Sequence, residues 1–161
     1  MLDIRQYIDA DKDTVWKLHN EALAGTGAHA GNGAWDNDLH EIPKYYINDG
    51  GLFLVGVLEN RIVAMGALKR LDRSTGEIKR MRIAPDCQRR GYGSAMLATL
   101  EQQGRELGIT RFVLDTTDIQ VAARGLYEKH GYRETGTGKM GRFNVIYYEK
   151  TLRPDTTLSR S

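Results

Sequence analysis

Two rhythms of apolar residues run along the chain, and each predicts its own kind of element. Val15, Leu18, Ala22 and Leu23 recur at helical spacing, so residues 13–24 read as an amphipathic helix with Asp11 or Asp13 as its cap. A stronger helix is expected over residues 94–107, where Leu97, Leu100, Gly104 and Leu107 share a face and Gly108 ends the run. Residues 121–130 form another helical stretch, stopped by Gly131, and residues 36–48 a weaker one interrupted at Pro43. Alternation and short apolar runs predict strands at residues 3–8, Leu52–Leu58, 62–68, 77–83, 111–115 and 144–152. Glu59-Asn60-Arg61 between two of these runs is a hairpin signature. Residues 25–33 are rich in glycine and read as a flexible loop, and residues 153–161 as a loose tail.

The predicted order is strand, two helices, three strands, helix, strand, helix, then one or two strands. Consecutive strands in the first half should pair antiparallel, while the unit through residues 94–107 should make one parallel pair. This is an α/β fold with a mixed sheet and helices on its faces. Residues 1–152 are expected to form one domain and residues 153–161 a flexible C-terminal tail.

Composition narrows the function classes. A chain of 161 residues is long enough for one domain with a real core. A net charge of +2 argues against a dedicated nucleic-acid binder. Lys69, Arg70, Arg73, Lys79, Arg80, Arg82, Arg89 and Arg90 nevertheless crowd the middle of the chain, which suits a small, highly charged ligand. The single cysteine, Cys87, forms no internal disulfide, and no histidine stands near it in sequence to activate it as a nucleophile. His19, His29, His40 and His130 show no metal-ligand spacing, so no metal is expected. Met1-Leu2-Asp3-Ile4-Arg5 lacks the apolar stretch of a signal peptide, and the longest apolar run, Leu52–Leu58, is too short to span a bilayer. The expectation is a cytoplasmic protein with no membrane partner.

The segment from Ile83 to Ser94 carries the most chemistry. A strand ends, a basic loop with Gly91 and Gly93 follows, and a helix begins. The first amides of a helix have no intrahelical partner, and the helix dipole adds partial positive charge there. Glycines let a phosphate approach those amides, and Arg89 and Arg90 add full charges, so the loop fits a diphosphate. Met96 stands where the dinucleotide fingerprint needs its third glycine or alanine, and the Gly-Lys-Ser/Thr of a P-loop is absent.

Gln88-Arg89-Arg90-Gly91-Tyr92-Gly93 resembles the Gln/Arg-x-x-Gly-x-Gly/Ala motif of the GNAT superfamily of N-acetyltransferases. The upstream strand Glu77-Ile78-Lys79-Arg80-Met81-Arg82-Ile83 followed by Pro85, and the downstream Leu126-Tyr127-Glu128-Lys129-His130-Gly131-Tyr132, resemble the same family. The resemblance implies direct transfer of an acetyl group from acetyl-CoA to a primary amine. It implies that Gln88, Arg89, Arg90, Gly91, Tyr92, Gly93 and Ser94 hold the pyrophosphate. The amides of Met81, Arg82 and Ile83 would pair with the pantetheine like an added strand. The pantetheine would lie where the strands at residues 77–83 and 111–115 splay apart.

By the same resemblance Tyr127 is the acid for the departing thiolate, and Glu77 the general base. Where many members have asparagine, this chain has Gln120, whose longer amide is expected to keep the cofactor contact. The acceptor should enter near the first two helices, where Trp35, Asp36, Asp38 and His40 would suit a cationic amine. It is left open between a small molecule and a protein, as is a homodimer. A silent acyl-CoA sensor would keep Gln88 to Gly93 but lack the acid. A nucleic-acid-binding module would need interleaved aromatics, and only Tyr92 qualifies.

Overall fold

A computed structural model describes residues 1–24 and 32–152. Its centre is a seven-stranded sheet in the order β1-β2-β3-β4-β5-β7-β6. The strands are β1 (Asp3–Gln6), β2 (Leu52–Leu58), β3 (Arg61–Arg70), β4 (Thr75–Ile83), β5 (Arg111–Thr117), β6 (Arg133–Met140) and β7 (Phe143–Thr151). Every pairing is antiparallel except β4 with β5, which follow one another through a crossover helix. The helices are α1 (Lys12–Ala24), α2 (Asn37–His40), α3 (Tyr92–Glu106) and α4 (Val121–Lys129).

Apolar residues cover both faces of the central strands, so the sheet is packed on two sides. On one face Met96, Leu97 and Leu100 of α3 and Tyr127 of α4 pack with Leu54, Leu68, Phe112 and Tyr148. On the other, Val15 and Leu18 of α1 and Leu39 of α2 pack with Tyr46, Phe53, Val55 and Met65. The weak helix expected over residues 36–48 divides, as its proline foretells: α2 stops at His40 and a π-helical turn, Pro43–Ile47, starts at the proline. Gly108 and Gly131 follow α3 and α4 with φ of 91° and 89°, the left-handed turn that ends a helix.

One expectation is adjusted and another is narrowed. The strand at residues 111–115 runs on to Thr117 and is buried only on alternate residues, with Asp115 exposed. The chain's end carries two strands, the extra one being β6. Its sequence RETGTGKM has no apolar alternation because it is an exposed edge strand paired only with β7. Most of the glycine-rich loop, and the tail at residues 153–161, lie outside the described residues. Among the described residues no helix is long and apolar enough to cross a membrane, and no group of three or more His, Cys, Asp or Glu side chains could hold a metal.

Candidate active site

Strands β4 and β5 touch for only three residue pairs, Thr75↔Arg111, Gly76↔Phe112 and Glu77↔Val113. They then part. β5 stays with β7 as far as Thr117↔Val145, whereas β4 stays with β3. A bulge bends β4 just past the fork: between Lys79↔Ala67 and Arg82↔Met65, Gly66 faces both Arg80 and Met81. Arg80 takes a left-handed φ of 58°, uncommon for a non-glycine residue. A Cβ on Gly66 would lie 2.8 Å from Met81 Sδ, so any larger residue at this crossing would displace the Met81 side chain. The fork opens into a cavity of about 730 Å³. Its walls come from β4, from β5 and α4, from α1 and the Trp35–Asp36 turn, and from the β6–β7 turn at Met140 to Phe143.

Tyr127 stands on the buried face of α4, 6% exposed, with its ring 5.8 Å from Tyr132 and 6.3 Å from Tyr148. Its hydroxyl has no hydrogen-bond partner among the described residues. Because no buried side-chain oxygen or nitrogen is left unsatisfied, that hydroxyl must open to the cavity. Burial pushes the phenol up to about 12, with Arg82 opposing and Asp115 reinforcing the rise. At neutral pH it therefore keeps its proton. Glu77 and Asp115 line the same cavity across the fork. Partial withdrawal from water raises both carboxyls, and Lys79 opposes the rise in each.

The basic loop lies beyond the far end of β4. Gln88 to Gly91 are exposed, and Gln88 Nε2 donates to the Ile83 carbonyl at 3.4 Å, tying the loop to the strand end. Arg89 and Gly91 take left-handed φ values of 66° and 82°. The first amide bond of α3 is Ala95 to the Gly91 carbonyl at 3.0 Å, so the amides of Tyr92, Gly93 and Ser94 precede the helix's own ladder. Arg89 and Arg90 make no ion pair among the described residues, and space above Gly91 is open for 4 Å. Behind the loop α3 and α4 close together: a Cβ on Gly93 would sit 3.2 Å from Leu126, and His130 Nε2 meets Ser94 Oγ at 2.9 Å.

The sequence model described as "Acetyltransferase (GNAT) family" matches residues 12–132. The chain belongs to the GNAT acetyltransferase family. Human N-acetyltransferase 8B is 36% identical over 106 residues, covering 62% of this chain and 46% of that protein. The chain thus spans about half the length of the curated relatives it matches. A GNAT-family acetyltransferase from Staphylococcus aureus superposes with a TM-score of 0.86 at 22% identity, covering 95% of this chain and all of that one. The PaiA N-acetyltransferase from Thermoplasma acidophilum, solved with coenzyme A, has a TM-score of 0.78 at 19% identity, covering 94% of this chain and 99% of that one. At these identities the two structures speak for the fold.

The GNAT cavity brings together Glu77, Met81, Arg82, Gln120 and Tyr127 from the sequence-predicted set, while Ile83 and Gln88 to Ser94 lie outside its lining. Gln120 is engaged locally. Its Oε1 accepts from Thr116 Oγ1 at 2.9 Å, Thr117 Oγ1 at 3.0 Å and the Thr117 amide at 3.3 Å. These bonds hold the β5–α4 turn and leave the amide –NH2 as the group it can offer a ligand.

On the opposite wall the acidic residues expected to suit a cation are already engaged. Arg80 grips Asp38 at 2.6 Å and 2.9 Å and stands 3.5 Å from Asp36, and Tyr46 donates to Asp38 at 2.5 Å. Buried His19 meets Asp36 through Nε2 at 3.2 Å, and its Nδ1 accepts from Arg82 Nε at 3.4 Å. Burial, with Arg82 and Arg80, pulls His19 down to about 4, so it is neutral and the proton sits on Nε2. His40 packs against Trp16 with ring centroids 4.5 Å apart and planes tilted by 45°, and it does not line the cavity. Sequence reasoning placed Arg80 and Arg82 only in a general basic cluster, and it missed the side chains of His19 and Asp115 and the β6–β7 turn. Only Gly141, with its φ of 59°, marks that turn in the sequence.

Proposed function

We propose that the chain transfers the acetyl group of acetyl-CoA directly to the primary amine of an acceptor. One observation carries the reading: a buried phenol, Tyr127, whose hydroxyl has no hydrogen-bond partner among the described residues, lines a cavity formed where two parallel strands part. A phenol held near 12 stays protonated and can give that proton to a thiolate.

The family membership and the coenzyme A in the Thermoplasma relative favour acetyl-CoA as donor. Beyond Glu77 the free edge of β4 at Met81, Arg82 and Ile83 suits main-chain pairing with a pantetheine amide chain. Exposed Gln88, Arg89, Arg90 and Gly91, with the amides of Tyr92, Gly93 and Ser94, suit the pyrophosphate. Gln120 contributes its –NH2 near the fork. In the reaction the acceptor nitrogen attacks the thioester carbonyl, the C–N bond forms and the C–S bond breaks. Glu77 accepts the first proton lost by the ammonium, directly or through water, Tyr127 gives one to sulfur, and the second proton that the nitrogen sheds as the amide forms restores the phenol. A carboxyl raised by burial is better matched to an amine proton than an ordinary one.

The test is release of free coenzyme A thiol from acetyl-CoA in the presence of an amine panel. Amine-dependent release that collapses in Tyr127→Phe, with acetyl-CoA still bound, supports the reading. Binding of acetyl-CoA without transfer to any amine favours the silent sensor.

A further inference from the structure

Arg82 sits on the cavity wall, partly buried, and no carboxylate lies within ion-pair distance of it among the described residues. Its neighbour Arg80 takes both Asp36 and Asp38. Arg82 has two bonds: Nε donates to His19 Nδ1 at 3.4 Å and Nη1 to the Met81 carbonyl at 2.8 Å. Nη2 donates to nothing among the described residues, and since no buried polar side-chain atom is left unsatisfied, it opens to the cavity. Burial and the charge of Arg80 pull the guanidinium down to about 10, which still leaves it charged at neutral pH.

A cation partly withdrawn from water without a counter-ion destabilises the fold and gains from an arriving anion. The planar fork of a guanidinium matches a carboxylate in a bidentate way. His19, neutral and held by Asp36, orients the fork through Nε and leaves its outer end free. Lys79 and Arg142 line the same cavity and add positive potential. A polyamine would bring further cations into this field.

Resting on the acetyl transfer proposed above, we infer that the acceptor is an amine that also bears a carboxylate, an amino acid or a molecule with the same two groups, and that Arg82 receives that carboxylate. Arg82 and Tyr127 line the same cavity, so a carboxylate held on Arg82 keeps an amine on the adjacent carbon beside the fork. Arg82 is then a specificity-determining residue, and its main-chain role in β4 is independent of its side chain.

The experiment measures thiol release from acetyl-CoA with the twenty protein amino acids, their α-amides, and spermidine. At least one free acid should exceed its own amide by roughly 10²-fold in kcat/KM, the scale of a lost charge pair. In Arg82→Gln the acid-to-amide ratio for that pair should collapse toward one, mainly through the KM of the acid. Arg82→Lys should keep an intermediate ratio. The ratio is taken within one protein, so weaker cofactor binding or partial unfolding cancels from it. A wild-type ratio near one, or a ratio that survives in Arg82→Gln, overturns the inference. Acetylation confined to spermidine and the amides overturns the inference alone and leaves the proposed function standing. Bound acetyl-CoA with no amine acetylated overturns the proposed function, and the inference with it.

Discussion

The two walls of the cavity are built on opposite plans. The side toward the basic loop is main chain: a strand edge that has lost its neighbour lines the cavity, and beyond its lining stand helix amides that precede their own ladder. The wall toward α1 is side chain: Arg80, Asp36, Asp38, His19 and Arg82 linked by close contacts. Main-chain recognition needs glycines and a strand end at fixed spacing, whereas a side-chain network needs only that distant residues meet. Under the proposed function the first plan would hold one donor for many acceptors, and the second would let the acceptor change without touching the fold.

The sharpest break of this comparison is at Tyr127, which belongs to neither plan. Tyr127→Phe keeps the ring packing and removes the proton, so turnover should fall by roughly 10²–10⁴-fold while acetyl-CoA affinity holds. Calorimetry and thiol release, measured on one preparation, separate the two quantities.

The side-chain wall should declare itself in pH. The folded state holds His19 at about 4, below its ordinary 6.5, so the unfolded chain takes up the proton first. The stability set by neutral His19 is full above pH 6.5 and is lost as pH falls toward about 4. The loss should be on the order of 3 kcal/mol over that window, and His19→Gln should flatten it. Urea unfolding at stepped pH measures the slope. An equal slope in the variant would assign it to other groups.

The main-chain wall should instead yield to backbone strain. Gly91→Val places a β-branched residue at a φ of 82° in otherwise open space. With a strain of ~1–2 kcal/mol and a side chain over the amides, acetyl-CoA affinity should weaken roughly tenfold or more while the thermal midpoint falls by only several degrees and the fold survives. Unchanged affinity would move the pyrophosphate elsewhere.

The smallest effect is expected at Glu77, where the walls meet. Because burial raises its pKa, the acidic limb of the rate profile should lie above the usual carboxylate value of about 4.3. Glu77→Gln should lose roughly tenfold at neutral pH and recover at alkaline pH, where free amine is abundant. A raised acceptor KM with turnover intact would mean that Glu77 binds the acceptor and leaves its proton to water.

What the sequence disclosed follows the same division. The hairpin at Glu59-Asn60-Arg61, the α3 face and the glycine stops at Gly108 and Gly131 are local signals, and each lies where the pattern puts it. The basic loop was legible because its chemistry is written in consecutive residues. β6 was nearly invisible, since an exposed edge strand needs no apolar face. Arg82 reads in the sequence as a main-chain contact and a member of the basic cluster, but its pairing with His19, 63 residues away, is invisible to any local window. Asp36 and Asp38 misled for the same reason: their counter-charge on Arg80 is 42 residues from Asp38 and invisible to any window.

The parting of β4 and β5 has one more consequence. It leaves an unpaired strand edge inside the molecule, from just past Glu77 to Ile83, of the kind that invites another chain to add on. Here the edge is recessed in a cavity and flanked by Lys79, Arg80 and Arg82, whose charges discourage an invading strand. A donor that pairs with the edge would act as a missing neighbour as well as a reactant. Resistance to self-association should then follow the ratio of donor concentration to its Kd, and the protein should keep longest in solution when its cofactor is present.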